Sequence, residues 1–223
     1  AYEINRTPPK TQAALLEAMQ EYAVTVAGRT LPLELPFTVV ATQNPIEHEG
    51  TYPLPEAQLD RFMFSIPVGY PDRESEISVV EQTTSRDFPE LEPIFTREEV
   101  LKLQAFVRRV PVSRHVLQYA VDLVRASRPE EKEAGDYVRR YVEWGAGPRA
   151  AQCLVMGAKV KSLLGENPAP SCEDVRAVAR PVLSHRIIPN YNATGEGIRA
   201  VHVVDHLVGK VPEPSYRNPN ESE

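Results

Sequence analysis

The sequence predicts an α/β piece followed by an all-helical piece, and three features lead there. A short, apolar, β-rich run from Phe37 to Ala41 stops abruptly at the polar Thr42-Gln43-Asn44 before Pro45. A buried strand of a parallel sheet has that profile at its carboxyl end. From Asp72 onward the apolar residues recur with helical rather than strand spacing. Helix-start signals also punctuate the second part, with Thr96 followed three residues later by Glu99, and a further cap at Ser171.

Taken in order, Glu3, Asn5 and Arg6 lie just before the break at Pro8 and Pro9, where a carboxylate at a strand end could serve as a base. The two prolines suit the lead-in to a helix, TQAALLEAMQEY, with Leu15, Ala18, Met19 and Tyr22 on one face. Residues 23 to 34 alternate apolar and polar around Ala27-Gly28-Arg29, the mark of a β-hairpin with Gly28 in its turn. The strand at 37–41 follows. Residues 54–62, LPEAQLDRF, predict a short helix starting near Pro55, and MFSIPVGYP another strand-like stretch.

Beyond it, ESEISVVEQTT is a helix, joined by a Pro-containing connector, FPELEPIF, to the helix capped by Thr96. That helix carries Val100, Leu103, Val107 and Val110 as its stripe, and the next carries Val116, Ala120, Leu123 and Val124. The run PEEKEAGDYVRRY is a solvated loop leading into a helix or extended segment. Residues 148–164 form a helix with Ala151, Leu154, Val155, Ala158 and Leu163 inward. The helix from Ser171 buries Val175, Val178, Ala179, Val182 and Leu183. With almost no strand signal, this second part is a compact helical bundle. The predicted map is an incomplete α/β core at 1–71, a linker helix and connector at 72–95, a helical domain at 96–211 and a polar, disordered tail at 212–223.

The bulk properties exclude several classes. A chain of 223 residues with 42% hydrophobic and 25% charged residues is ordinary for a globular protein. Its net charge of −6 argues against a broad nucleic-acid footprint. Cys153 and Cys172 lack CxxC spacing, which supports neither a disulfide framework nor a zinc site. No run is apolar for long enough to span a membrane and no signal peptide is visible, so a cytoplasmic protein is expected. His202 and His206 are four apart, but the glutamate of HExxH and a third ligand are missing, so they are packing or surface histidines. His48 between Glu47 and Glu49 is a charged loop cluster, and Cys153 is a core residue.

Four groups could carry chemistry: Glu3 with Asn5 and Arg6, Thr42 to Asn44, Asp60 with Arg61, and Arg149 at the head of a helix (WGAGPRAAQ). In an open α/β sheet, ligands bind off the carboxyl ends of strands. Glu3 beside Asn44 would suit holding and activating a water, and Arg61 and Arg149 would stabilise charge on a phosphoryl group. Singly, each has a plainer reading: a solvated carboxylate, an Asn-Pro turn, surface arginines. Their joint order and spacing is what points to function.

EINRTPPKTQAALLEAMQE, ATQNPIEHEGTYPLPEAQLDRF, GPRAA and SHRIIPNYNA together resemble the MoxR family of AAA+ ATPases, from residue 3 to about 211. The resemblance implies a partial AAA+ P-loop NTPase core, with a parallel sheet, followed by a helical-bundle lid. It makes Glu3 the Walker B glutamate that polarises the attacking water and Asn44 the sensor 1 residue. Arg61 becomes the finger that reaches a neighbouring subunit's nucleotide, and Arg149 the sensor 2 arginine that ties the lid to the phosphates. The hairpin becomes an insertion before sensor 1. The cofactors implied are ATP and Mg²⁺. The partners implied are neighbouring subunits of a ring, typically a hexamer, and a protein with a von Willebrand factor A domain; the activity implied is that of a chaperone-like ATPase.

Two departures accompany the resemblance. Tyr2 precedes Glu3 where the family has an aspartate, and no GxxxxGK[ST] occurs, so the backbone cradle and lysine for the phosphates are missing from these residues. A truncated chain, inactive by itself although its full-length parent hydrolyses ATP, is therefore expected. The alternatives are a non-catalytic helical interaction module derived from an ATPase and a magnesium chelatase-like motor subunit.

Overall fold

A computed structural model describes residues 1–44, 50–84 and 91–215. The chain opens with a 3₁₀ turn at Ile4–Arg6 and helix α1 at Pro9–Glu21. Proline at the first helical position pre-sets φ where no N–H partner is needed. Leu16 and Ala18 are the buried apolar residues of α1, with Leu15 only half-buried and Tyr22 exposed at its left-handed end, so the expected face is rotated by one residue.

Strands β1 (Ala23–Val26) and β2 (Arg29–Pro32) form the expected antiparallel hairpin, with Ala27 and Gly28 both at positive φ. Two successive positive-φ residues make the hairpin turn whose twist matches the strands. The hairpin is largely exposed, and Thr25 Oγ1 donates to Glu17 of α1 at 2.7 Å.

Residues 37–44 differ from expectation. They run beside the amino terminus without entering a ladder: the Ala1 amino group donates to the Val40 carbonyl (2.6 Å), and the Thr42 N–H donates to the Ala1 carbonyl (2.9 Å). One residue bonded to two others spaced two apart is a parallel pairing, but it does not propagate, because the next bond, Ile4 N–H to Thr42 O at 2.9 Å, starts the 3₁₀ turn. The described residues thus form no parallel sheet. Glu3 likewise sits at the cap of a 3₁₀ turn rather than at a strand end. MFSIPVGYP is not a strand either; its residues are exposed, and 62–65 dock on the helical part instead.

Helix α2 (Glu56–Leu59) starts at Pro55, as expected, and α3 (Arg73–Thr84) buries no residue. Helix α4 (Arg97–Arg109) carries the predicted capping box between Thr96 and Glu99, although Leu103 of its stripe is exposed. Helices α5 (Arg114–Arg125), α6 (Asp136–Tyr141), α7 (Pro148–Leu164), α8 (Cys172–Leu183), α9 (Tyr191–Gly195) and α10 (Ala200–Lys210) complete the bundle. Its core is built of Tyr119, Leu123, Leu154, Val175, Val182, Leu183, Val203 and Val204, all essentially inaccessible. Burying each such aliphatic side chain stabilises the fold by about 2 kcal/mol. This dense core makes the bundle the rigid platform of the molecule. Within it lies a small sheet that the sequence did not suggest, β3 (Val142–Trp144) against β4 (Ile188–Pro189), antiparallel. His206 stacks on Tyr137 with ring centroids 4.2 Å apart, which fits its reading as a packing histidine. The His48 cluster lies outside the described residues, as do parts of the connector (85–90) and of the tail (216–223).

Candidate active site

The expected residues fall in two places rather than one constellation: the Glu3 turn against the backbone of 42–44, and Arg61 with Arg149. At the first, Glu3 is held at φ +46° as the cap of the 3₁₀ turn, and its N–H donates to Thr42 Oγ1 at 2.9 Å. A non-glycine residue in the left-handed region stores strain, and such residues gather at functional sites. The Glu3 carboxylate lies 3.3 Å from Arg6 Nε and stays partly open to solvent. Asn5 Nδ2 donates to the Asn44 carbonyl at 3.3 Å, which brings the sensor-like segment 42–44 against the acid. Gln12 of α1 fixes this corner by donating to the carbonyls of Ile4 (3.0 Å) and Tyr52 (2.9 Å). The Asn5 Oδ1 is buried without a hydrogen-bond partner, an acceptor that suits a water or a ligand N–H.

At the second, Arg61 donates through Nε (3.2 Å) and Nη2 (2.8 Å) to Gln20, at the far end of α1. Arg149 sits at the start of α7 and donates to Asp60 Oδ2 at 2.8 Å. Met19, Gln20, Arg61 and Arg149 line one cleft of about 100 Å³, so both guanidinium groups face the same space. Gln12 and Gln20 are eight residues apart on α1, about 12 Å along the axis at 1.5 Å per residue. The acid–amide corner and the arginine cleft therefore stand toward opposite ends of one helix.

The loop before Arg149 is fixed from both sides. The Ala146 N–H donates to the buried Ser127 Oγ at 2.9 Å, and its carbonyl accepts from Arg128 Nε at 2.9 Å. Gly145 passes so near the Ser127 carbonyl that a Cβ there would lie 2.5 Å from its oxygen. Glycine is thus required by close approach.

Sequence reasoning missed Arg186. Its side chain is 1% exposed. It donates to Asp60 Oδ1 (2.8 Å) and to the carbonyls of Asp60 (2.8 Å), Phe62 (2.6 Å), Met63 (3.2 Å) and Val182 (2.5 Å). A planar guanidinium can serve such a spread of acceptors where a lysine cannot. Asp60 thus joins the buried Arg186 to the exposed Arg149, and the turn carrying Arg61 is locked onto the lid. The only signal was that SHRII belongs to the family pattern. Beside it, burial and then the neighbouring Arg186 charge push the His185 imidazole down to about 4, so it is neutral at pH 7, with Nε2 3.1 Å from the Phe62 carbonyl. Burial also raises the Cys153 thiol, which is consistent with an inert core residue.

A larger cleft of about 520 Å³ lies alongside, lined by the acids Glu56, Asp60 and Glu143 against the one guanidinium of Arg186. Charge decides between the two clefts: the smaller, with two guanidinium groups, suits phosphoryl oxygens. A magnesium site does not fit the residues present, since Tyr2 beside Glu3 is no ligand.

The segment around α1 and the helical bundle after it correspond to the core and the lid of the AAA+ class. The family model described as "ATPase family associated with various cellular activities (AAA)" matches residues 1–64, and that of the AAA lid domain matches residues 136–207. Within the class, the chain belongs to the MoxR family. It is 40% identical over 219 residues to YeaC of Bacillus subtilis, covering 98% of this chain and 66% of that one. It is 40% identical over 214 residues to "Chaperone MoxR1" of Mycobacterium tuberculosis, covering 96% and 56%. The crystal structure of "a putative ATPase" from Cytophaga hutchinsonii superposes with a TM-score of 0.90 at 40% identity, covering 96% of this chain and 66% of that one. The chain thus spans 56–66% of the length of these relatives. Among the described residues no helix is long and apolar enough to cross a membrane.

Proposed function

We propose that the chain supplies the hydrolytic corner, the arginine finger and the lid of a ring-forming, MoxR-type ATPase in which each subunit serves two nucleotide sites. The observation that carries this reading is the separation of the two pairs along α1. Glu3 and Asn44 serve one nucleotide, while Arg61 and Arg149, which share a cleft, serve the one held by the next subunit. Arg149 then acts beside Arg61 on the neighbour's nucleotide while tying the lid to its phosphates.

Bound ATP supplies the phosphoanhydride bond to be broken. Asn44 orients the attacking water and Glu3 accepts its proton, as a positioned carboxylate can. Arg61 and Arg149 stabilise the charge that builds on the phosphoryl and leaving oxygens, an effect that reaches 10³–10⁵-fold in other arginine-finger systems. Because Asp60 holds Arg149 and Arg186 together, the finger and the lid move as one body when that charge changes.

By itself the 223-residue chain does not turn over ATP, because it has no GxxxxGK[ST] to hold the phosphates. With the relatives named MoxR1 and MoxR in view, the work done is chaperone-like remodelling of a client. The partner expected is a von Willebrand factor A domain protein, in a cytoplasmic ring, typically a hexamer. The test is Glu3→Gln in protein that carries a phosphate-binding P-loop segment ahead of these residues. Turnover should fall by at least about 10²-fold while nucleotide binding is retained. Undiminished turnover would refute the assignment.

A further inference from the structure

We propose that His115, Cys172 and Glu213 form a binding site for one zinc-type divalent ion, which fastens the segment after α10 to the starts of α5 and α8. Donor atoms of the three side chains lie within 4.8 Å of one another, the one such trio of potential ligands among the described residues. His115 Nε2 stands 3.8 Å from Glu213 Oε2. That is too long for a hydrogen bond and close to the spacing of two ligands on one metal, about 3.3 Å for bonds of about 2.0 Å in tetrahedral geometry.

The donor set suits a borderline-soft ion. Thiolate, imidazole and carboxylate are all zinc ligands, and three protein donors leave the fourth position to water. A thiolate and a carboxylate balance the charge of a divalent ion, leaving the imidazole neutral. Glu213 is oriented as a metal-bound carboxylate commonly is: Arg176 Nη2 donates to its Oε1 at 2.5 Å, while Oε2 faces His115. Arg176 is itself held by Glu173 (3.0 Å) and by Tyr119 Oη (3.0 Å).

Burial and then the neighbouring Glu213 charge raise the Cys172 thiol to about 11, so an ion has to displace its proton on binding. Access is from the Glu213 side, which is 46% exposed, whereas Cys172 is buried. The ligands come from three separate elements, which is why spacing in the sequence gives no sign of them.

The test uses the whole chain, stripped with chelator and titrated with Co²⁺ and then Zn²⁺. One Co²⁺ per chain is expected, with a near-ultraviolet thiolate-to-metal band that Zn²⁺ bleaches. Cys172→Ser should abolish the band, and Glu213→Gln, exposed and safe for folding, should weaken binding by at least about tenfold. Zn²⁺ should raise the thermal midpoint of the parent protein but not of Glu213→Gln. Absence of stoichiometric binding would overturn the proposal. So would a band that survives Cys172→Ser, or an affinity unchanged in Glu213→Gln, either of which places the ion elsewhere.

Discussion

Asp60 and Arg186 form the buried joint of the molecule, with Nε 2.8 Å from Oδ1 across 126 residues of chain. The same carboxylate holds Arg149 at 2.8 Å through its other oxygen. Asp60→Asn leaves the Arg186 guanidinium buried without its countercharge, since four backbone carbonyls accept its N–H groups but do not neutralise it. Stability should drop by about 3 kcal/mol, read from denaturant unfolding. Arg186→Lys should cost a similar amount, because an ammonium reaches fewer of those acceptors.

His185 predicts an acid-side loss of stability. Its folded value near 4 lies below the ordinary 6.5, so between these values the unfolded chain binds a proton that the folded chain refuses. The contribution is present in full above pH 6.5 and is lost as the pH falls toward 4. His185→Gln should flatten that part of a plot of urea midpoint against pH.

Gly145 and Gly147 flank Ala146 but answer differently to a methyl group. At Gly145 the added Cβ would meet the Ser127 backbone at 2.5 Å, whereas at Gly147 nothing lies within 4 Å. Gly145→Ala should destabilise by about 2 kcal/mol and displace the head of α7 with Arg149. Gly147→Ala should leave the unfolding midpoint nearly unchanged.

Ser171 closes a capping box on α8, donating to Asp174 and accepting its N–H at 3.2 Å. Ser171→Ala should cost about 1 kcal/mol of stability, measured by the same unfolding assay.

What the sequence disclosed follows the range of the forces involved. Helices α4, α5, α7 and α8, the capping box at Thr96 and the cap at Ser171 were legible because period and capping act within a turn or two, whereas the short α9 and the final α10 were not named. The hairpin at Gly28 was legible for the same reason. The strand expected at 37–41 was not realised, because a ladder depends on neighbours that local composition does not report. β3 and β4 are too short to carry a period. At the site, Glu3, Asn44, Arg61 and Arg149 were named from motif, but their division into two pairs needed three dimensions. Arg186 was hidden because its acceptors at Asp60, Phe62 and Met63 lie more than a hundred residues away.

The central claim is that Arg61 and Arg149 act on a neighbour's nucleotide, away from the Glu3 of their own chain. Mixing decides it, again in protein that carries a phosphate-binding P-loop segment: Glu3→Gln and Arg61→Ala proteins, each inactive, are assembled together and ATP turnover is measured. The account predicts that turnover reappears on mixing, and likewise with Arg149→Ala in place of Arg61→Ala, because some junctions then pair an intact acid with intact arginines. Mixed assemblies as inactive as their parents would contradict it.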